Sequence, residues 1–133
     1  MEKHIYRFSL LFLFMFTLAV QVHAANTTIH FLDVGQGLSV LIQSNKEVLL
    51  YDGGGRDSFS FVVAYLKSHN IDTIDYLISS HYNEDHVSGL IGCLNVFKIK
   101  HVIASNYVHG SSLYESFMNK IDQKNISVDY PSV

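Results

Sequence analysis

The 133 residues contain one cysteine, one proline and no tryptophan. Cys93 has no second cysteine to pair with, so an intrachain disulfide is excluded. Its setting, "VSGLIGCLNVF", suits a small buried core residue. Charge is also sparse, at 16% of residues, with nine Lys and Arg against twelve Asp and Glu. Nucleic-acid binding through a broad cationic surface is therefore unsupported, although a nuclease that grips phosphate through metal ions needs less protein charge. Internal repeats, linkers and low-complexity stretches are missing as well. With 48% hydrophobic side chains the chain is too apolar for disorder and has the size of one domain.

Part of that apolar content reads as a targeting segment. Residues 1–24, "MEKHIYRFSLLFLFMFTLAVQVHA", begin with Lys3 and Arg7, continue through an apolar run from Phe8 to Val20, and end with Val22 and Ala24 ahead of Ala25. This is the three-part pattern of an export signal. A membrane anchor is the rival reading, but 13 apolar residues are short for a span of about 20. The expectation is a signal peptide at 1–24, no stable anchor after cleavage, and a domain over 25–133. Without the first 24 residues the chain carries seven basic and eleven acidic side chains, a balance of −4. Such a chain can bury only a modest core.

After the signal, "TTIHFLDV", "LSVLIQS" and "EVLLYD" predict an antiparallel meander over roughly 27–34, 38–43 and 47–52, turning at Gly35 to Gly37 and at Asn45 and Lys46. "GGGRDS" reads as a loop with free backbone choice. Asp57 or Ser58 would cap a helix whose Phe59, Val62, Val63 and Leu66 fall at helical spacing. "TIDYLISS" is a continuous apolar run, as for a strand buried on both faces. A helix from Val87 to about Phe97 leads to a parallel strand near 99–104. A third helix starts at "SSLYESFMNKID", where Ser112 and Glu115 have capping-box spacing, and "ISVDY" begins one more strand. The class is α/β, a meander followed by strand, helix, strand, helix. Ligand sites in such sheets form at the C-terminal ends of parallel strands.

One strand end carries unusual chemistry. "SSHYNEDHVSGL" places His81, Glu84, Asp85 and His86 within six residues. Imidazole and carboxylate on a short loop after a buried strand suit zinc, and to a lesser degree manganese or iron. A solvated turn is the alternative, with Asp85 capping the helix that follows. Spacing alone leaves both open.

The segments "HFLDVGQG", "VLLYDGG" and "VVAYLKSHNIDTIDYLISSHYNEDHVSGL" resemble, in order and spacing, the N-terminal half of the metallo-β-lactamase superfamily. Within it they resemble the branch represented by the extracytoplasmic hydrolase domain of ComEC-type bacterial DNA-uptake proteins and its exported relatives. The resemblance covers about His30 to Leu90 and implies half of an αββα sandwich. The superfamily signature H-x-H-x-D-H falls on His81, Asn83, Asp85 and His86. It implies that His81 ligates a first metal and that Asp85 and His86 ligate a second, with Asp85 also orienting the attacking water. Asn83 replaces a histidine, which weakens the first site because an amide brings neither charge nor imidazole. Asp52, in "YDGGG", takes the place of an aspartate that supports the metal loop. Asp33, Gly35 and Gly37 form the "DVGQG" turn, a candidate substrate turn, although Leu38 replaces the acidic residue that usually follows.

What the resemblance implies is metal-assisted hydrolysis with one or two zinc ions, or manganese, acting on a small-molecule or nucleic-acid phosphodiester outside a bacterial cytoplasm. The superfamily's second half supplies further ligands, and the expectation is a truncated domain without them, for which His109 is a possible stand-in. His30, His69 and His101 are expected to lack partners and roles. Two other readings stand beside the exported phosphodiesterase or nuclease. One is a noncatalytic half-domain that self-associates through an incomplete sheet. The other is a β-lactamase-type amide hydrolase, against which Asn83 and the "DVGQG" turn both argue.

Overall fold

A computed structural model describes residues 26–131, so the expected signal peptide lies outside the described residues. The elements in chain order are β1 (Thr27–Phe31), β2 (Val40–Ser44), β3 (Glu47–Tyr51), α1 (Phe59–Ser68), β4 (Thr73–Ser79), α2 (Glu84–Val96), β5 (Lys98–Ala104), α3 (Ser112–Gln123) and β6 (Ser127–Asp129). All six strands form one sheet in sequence order. The first two pairings are antiparallel and the next three parallel. Asn45 closes the β2–β3 hairpin at φ 54°, a left-handed conformation that asparagine tolerates well.

Because each parallel strand sits beside its predecessor and crossovers are right-handed, α1, α2 and α3 pack on one face of the sheet. That face is a row of paired residues: His30, Leu41, Leu50, Leu77, Val102 and Val128. Leu41, Leu50, Leu77 and Val102 are fully buried against Val62, Leu66, Leu90, Leu94, Phe117 and Ile121. Cys93 lies in this core, and burial pushes its thiol up to about 12, so it stays protonated and inert.

The opposite face carries two further rows, one from Ile29 through Ile42, Leu49 and Tyr76, the other from Phe31 through Val40, Tyr51, Ile78 and Ile103. These residues are as apolar as the first row but less covered, with Phe31 80% and Ile29 53% exposed. The continuous apolar run of β4 is thus covered by helices on one side, while Tyr76 and Ile78 on the other are only half-buried. No helix among the described residues is long and apolar enough to cross a membrane.

Two helix starts differ from the sequence pattern. α2 begins at Glu84 rather than Val87, because Asn83 takes an extended conformation and its carbonyl accepts from the amides of His86 (3.1 Å) and Val87 (3.0 Å). Asp85 therefore sits in the first turn instead of capping it. At α3 the cap is Ser111, whose hydroxyl accepts from the Tyr114 amide at 3.2 Å, one residue ahead of the expected Ser112.

Asp75, on β4, ties the middle of the sheet together. Its carboxylate accepts from the Val48 amide at 2.8 Å and pairs with Lys100 on β5. The Lys100 hydrogen bond holds the Asp75 carboxyl below the usual carboxylate range despite burial, and Asp75 in turn raises the Lys100 amine.

Candidate metal centre

β1, β3, β4 and β5 all point the same way, so the loops that follow them meet at one sheet edge. Topology therefore brings "DVGQG", "DGGG" and "SHYNEDH" together. Backbone contacts lock them in place. Gly53 donates its amide to the His86 carbonyl at 2.8 Å, Gly54 to Leu38 at 2.8 Å, and Gly89 to Gly54 at 3.2 Å. The Gly53 and Gly89 backbones touch so closely that a Cβ on Gly89 would lie 1.8 Å from the Gly53 carbonyl oxygen. Gly37, at φ +112°, is pressed against Asp85, whose carbonyl oxygen would lie 1.9 Å from an added Cβ. The glycine loop after β3, read from the sequence as conformational freedom, serves close approach at Gly53 and a positive φ at Gly54.

At this edge His81, Asp85 and His86 each offer a ligand atom, and the three atoms lie within 4.8 Å of one another. His86 Nε2 is 3.7 Å from Asp85 Oδ2, and the two imidazole rings are 4.0 Å apart between centroids. Asn83 is exposed and occupies the N-cap position of α2, where its side chain makes no capping hydrogen bond. Asp33 is exposed, and its carboxylate accepts from the Gly35 amide at 3.3 Å.

The two histidines are held from behind by one carboxylate. Asp52 is fully buried and sits at φ 54° immediately after β3. Its Oδ1 accepts from the Ser80 amide at 2.9 Å, and its Oδ2 from the Ser80 hydroxyl at 2.6 Å and from His86 Nδ1 at 2.8 Å. An ionised carboxylate only accepts, so His86 must carry its proton on Nδ1. The Ser80 hydroxyl spends its hydrogen on Asp52, so its oxygen accepts from His81 Nδ1 at 2.8 Å. With Nδ1 as the donor, each imidazole in its neutral form has Nε2 free, the form that coordinates a metal. This donor set fits a divalent cation. His81 in the loop after β4 and Asp85 and His86 in the first turn of α2 could together hold such an ion.

Ser80 is the contributor that sequence reading missed. It immediately precedes His81, yet nothing in the sequence separates it from an ordinary strand-end serine. His109 falls outside the triad, with Nδ1 2.8 Å from Ser111 Oγ. His30, His69 and His101, expected to lack partners, all have them. His30 Nδ1 is 2.9 Å from the Tyr65 hydroxyl, and its ring meets that of His69 edge-on at 5.1 Å. His101 stacks on Tyr76 at 5.6 Å and lies 3.1 Å from Ser127 Oγ. Sheet register and helix packing bring these pairs together, which no local pattern shows. Behind the ligand loop, Tyr82 donates its hydroxyl to the Ser105 carbonyl at 2.6 Å, and burial pushes its pKa up to about 12.

Residues 32–124 match the family model of the metallo-β-lactamase superfamily. The "Uncharacterized protein YcaI" of Escherichia coli (strain K12) is 34% identical over 74 residues, covering 52% of this chain and 10% of that protein. A solved structure described as a peroxy diiron species of the chemotaxis sensor ODP is 26% identical, with TM-score 0.56 over 84% of this chain and 44% of the other. A metallo-β-lactamase HARLDQ motif mutant from Cronobacter sakazakii is 24% identical, with TM-score 0.46 over 52% of this chain and 27% of the other. The chain thus spans one tenth of the curated relative and less than half of either solved structure.

Proposed function

We propose that this chain, which belongs to the metallo-β-lactamase superfamily, is an exported metal-dependent hydrolase of the ComEC-type branch that acts on phosphodiesters, nucleic acid among them. The observation that carries the reading is the convergence of His81, Asp85 and His86, with both histidines oriented by Asp52 and Ser80. The "DVGQG" turn packed on Asp85 supports the branch, and the pattern of residues 1–24 supports export. Asn83 in place of a histidine speaks against a β-lactamase-type amide hydrolase.

A divalent cation held by His81, Asp85 and His86 would supply Lewis acidity and lower the pKa of water. The protein's own part is positional. Asp52 fixes the His86 tautomer directly and the His81 tautomer through Ser80. Asp85, half-buried at the first turn of α2, would orient the attacking water. Gly37 and Gly53 bring their loops against this turn and hold it in register. Zinc suits a set of two imidazoles and one carboxylate, manganese is the alternative, and iron belongs in the assay because the chemotaxis sensor structure is described as diiron.

The test combines metal content with hydrolysis of bis(p-nitrophenyl) phosphate by wild type and His86→Ala. Bound zinc or manganese and turnover lost in the variant support the reading, and a wild-type chain that binds no metal overturns it. The half-covered sheet face favours a second reading, in which the chain self-associates through that face and binds metal weakly as an isolated half-domain.

A further inference from the structure

Next to the triad lies a recess of about 320 Å³, whose wall includes Val34, Gln36, Arg56, Ser58, Glu84 and Asp85. We infer that this recess is a subsite for an anionic group of the substrate, a phosphoryl or phosphonate group, and that Arg56 is the residue that selects it. The inference rests on the hydrolase reading above and names the charge of the substrate part beside the scissile bond.

Four observations carry it. Asp85 belongs to both the triad and the recess wall, so the two adjoin. The volume is at the small end of ligand pockets, enough for a phosphoryl group with a substituent. Arg56 is loosely committed: its Nε is 3.7 Å from Glu84 Oε1, and the two side chains are 68% and 58% exposed. A solvent-exposed pair of that length holds weakly, whereas a guanidinium grips phosphoryl oxygens with two parallel hydrogen bonds. Gln36 adds an amide donor from the tip of the "DVGQG" turn, between Gly35 and Gly37 at positive φ.

Charge orders the events. Asp57, Glu84 and Asp85 outnumber Arg56 in the wall, so the recess alone is negative and disfavours an anion. A divalent cation on the triad offsets that charge, so anion binding follows metal binding.

Isothermal titration with phenylphosphonate tests this on wild type, Arg56→Gln, Arg56→Lys and, as a distant control, Lys100→Gln, each with and without zinc. The expected result is binding to zinc-loaded wild type that weakens roughly tenfold to hundredfold in Arg56→Gln. Arg56→Lys recovers part of that loss, Lys100→Gln shows none, and the zinc affinity of Arg56→Gln stays at the wild-type value. Zinc-free wild type binds the probe more weakly than the zinc-loaded form. Wild-type affinity in Arg56→Gln, or no binding by zinc-loaded wild type, overturns the inference. The two readings fail separately. Wild-type turnover with an Arg56→Gln variant that binds the probe normally sinks only the subsite, and Arg56-dependent binding without turnover sinks only the hydrolase.

Discussion

Replacing Asp52 by Asn exchanges a single carboxylate oxygen for an NH2 group and reverses the logic of the metal loop. The wild-type oxygens face three donors: the Ser80 amide at Oδ1, and the Ser80 hydroxyl and His86 Nδ1 at Oδ2. An amide has one acceptor oxygen and one donor nitrogen, so either orientation of the new side chain sets its NH2 group against at least one of these donors. If the nitrogen takes the Oδ2 position, His86 relieves the clash by moving its proton to Nε2, and that nitrogen no longer coordinates a metal. If the nitrogen takes the Oδ1 position, the buried Ser80 amide is left without an acceptor. A buried donor left unsatisfied costs about 1–3 kcal/mol. That cost falls on the fold whether or not metal is bound, whereas loss of such an outer partner typically lowers metal affinity about tenfold to hundredfold, or about 1.4–2.7 kcal/mol. Competition of the purified chain with a chromogenic zinc chelator measures this directly, with a thermal melt confirming that the variant folds. Ser80→Ala, which removes only the relay to His81, should lose less affinity than Asp52→Asn. Zinc affinity and melting temperature both at the wild-type level in Asp52→Asn refute the account of histidine orientation.

Asp75 should make stability pH-dependent in a specified direction. Its folded pKa is below the unfolded value, so its contribution is present above pH of about 4 and lost as pH falls through the folded value. The urea midpoint of wild type should therefore exceed that of Asp75→Asn at pH 6 by more than at pH 3, and a gap that does not shrink in acid contradicts the argument. The Lys100 amine is raised, so its share is present below its unfolded pKa and fades as pH climbs through the folded value. The half-covered sheet face predicts concentration-dependent association of residues 25–133 in sedimentation velocity, reduced by Phe31→Lys with Ile78→Lys. A strictly monomeric wild-type chain that binds no apolar dye removes self-association.

The order of elements, the α/β class and the cluster of metal-binding residue types were legible in the sequence because they are local. Strand runs, helical spacing, a two-residue hairpin and six residues of loop each announce themselves over short distances, and the "DVGQG", "YDGG" and ligand segments together carried the resemblance. What the sequence could not decide was contact. Asn83 falls at the N-cap position of α2, since the conformation of residue 83 depends on where the helix begins. Ser80 gains its role only because Asp52, 28 residues earlier, turns back at a positive φ to meet it. Gly53 and Gly89 matter because the loop after β3 and the second turn of α2 press backbone against backbone. His30 finds Tyr65 and His69 because the helix after β3 crosses back over the sheet. Apolarity on both faces of β4 was written in the sequence, but which face the helices cover is set by the hand of the crossovers. Local pattern supplies the reactive groups, and topology supplies the distances between them.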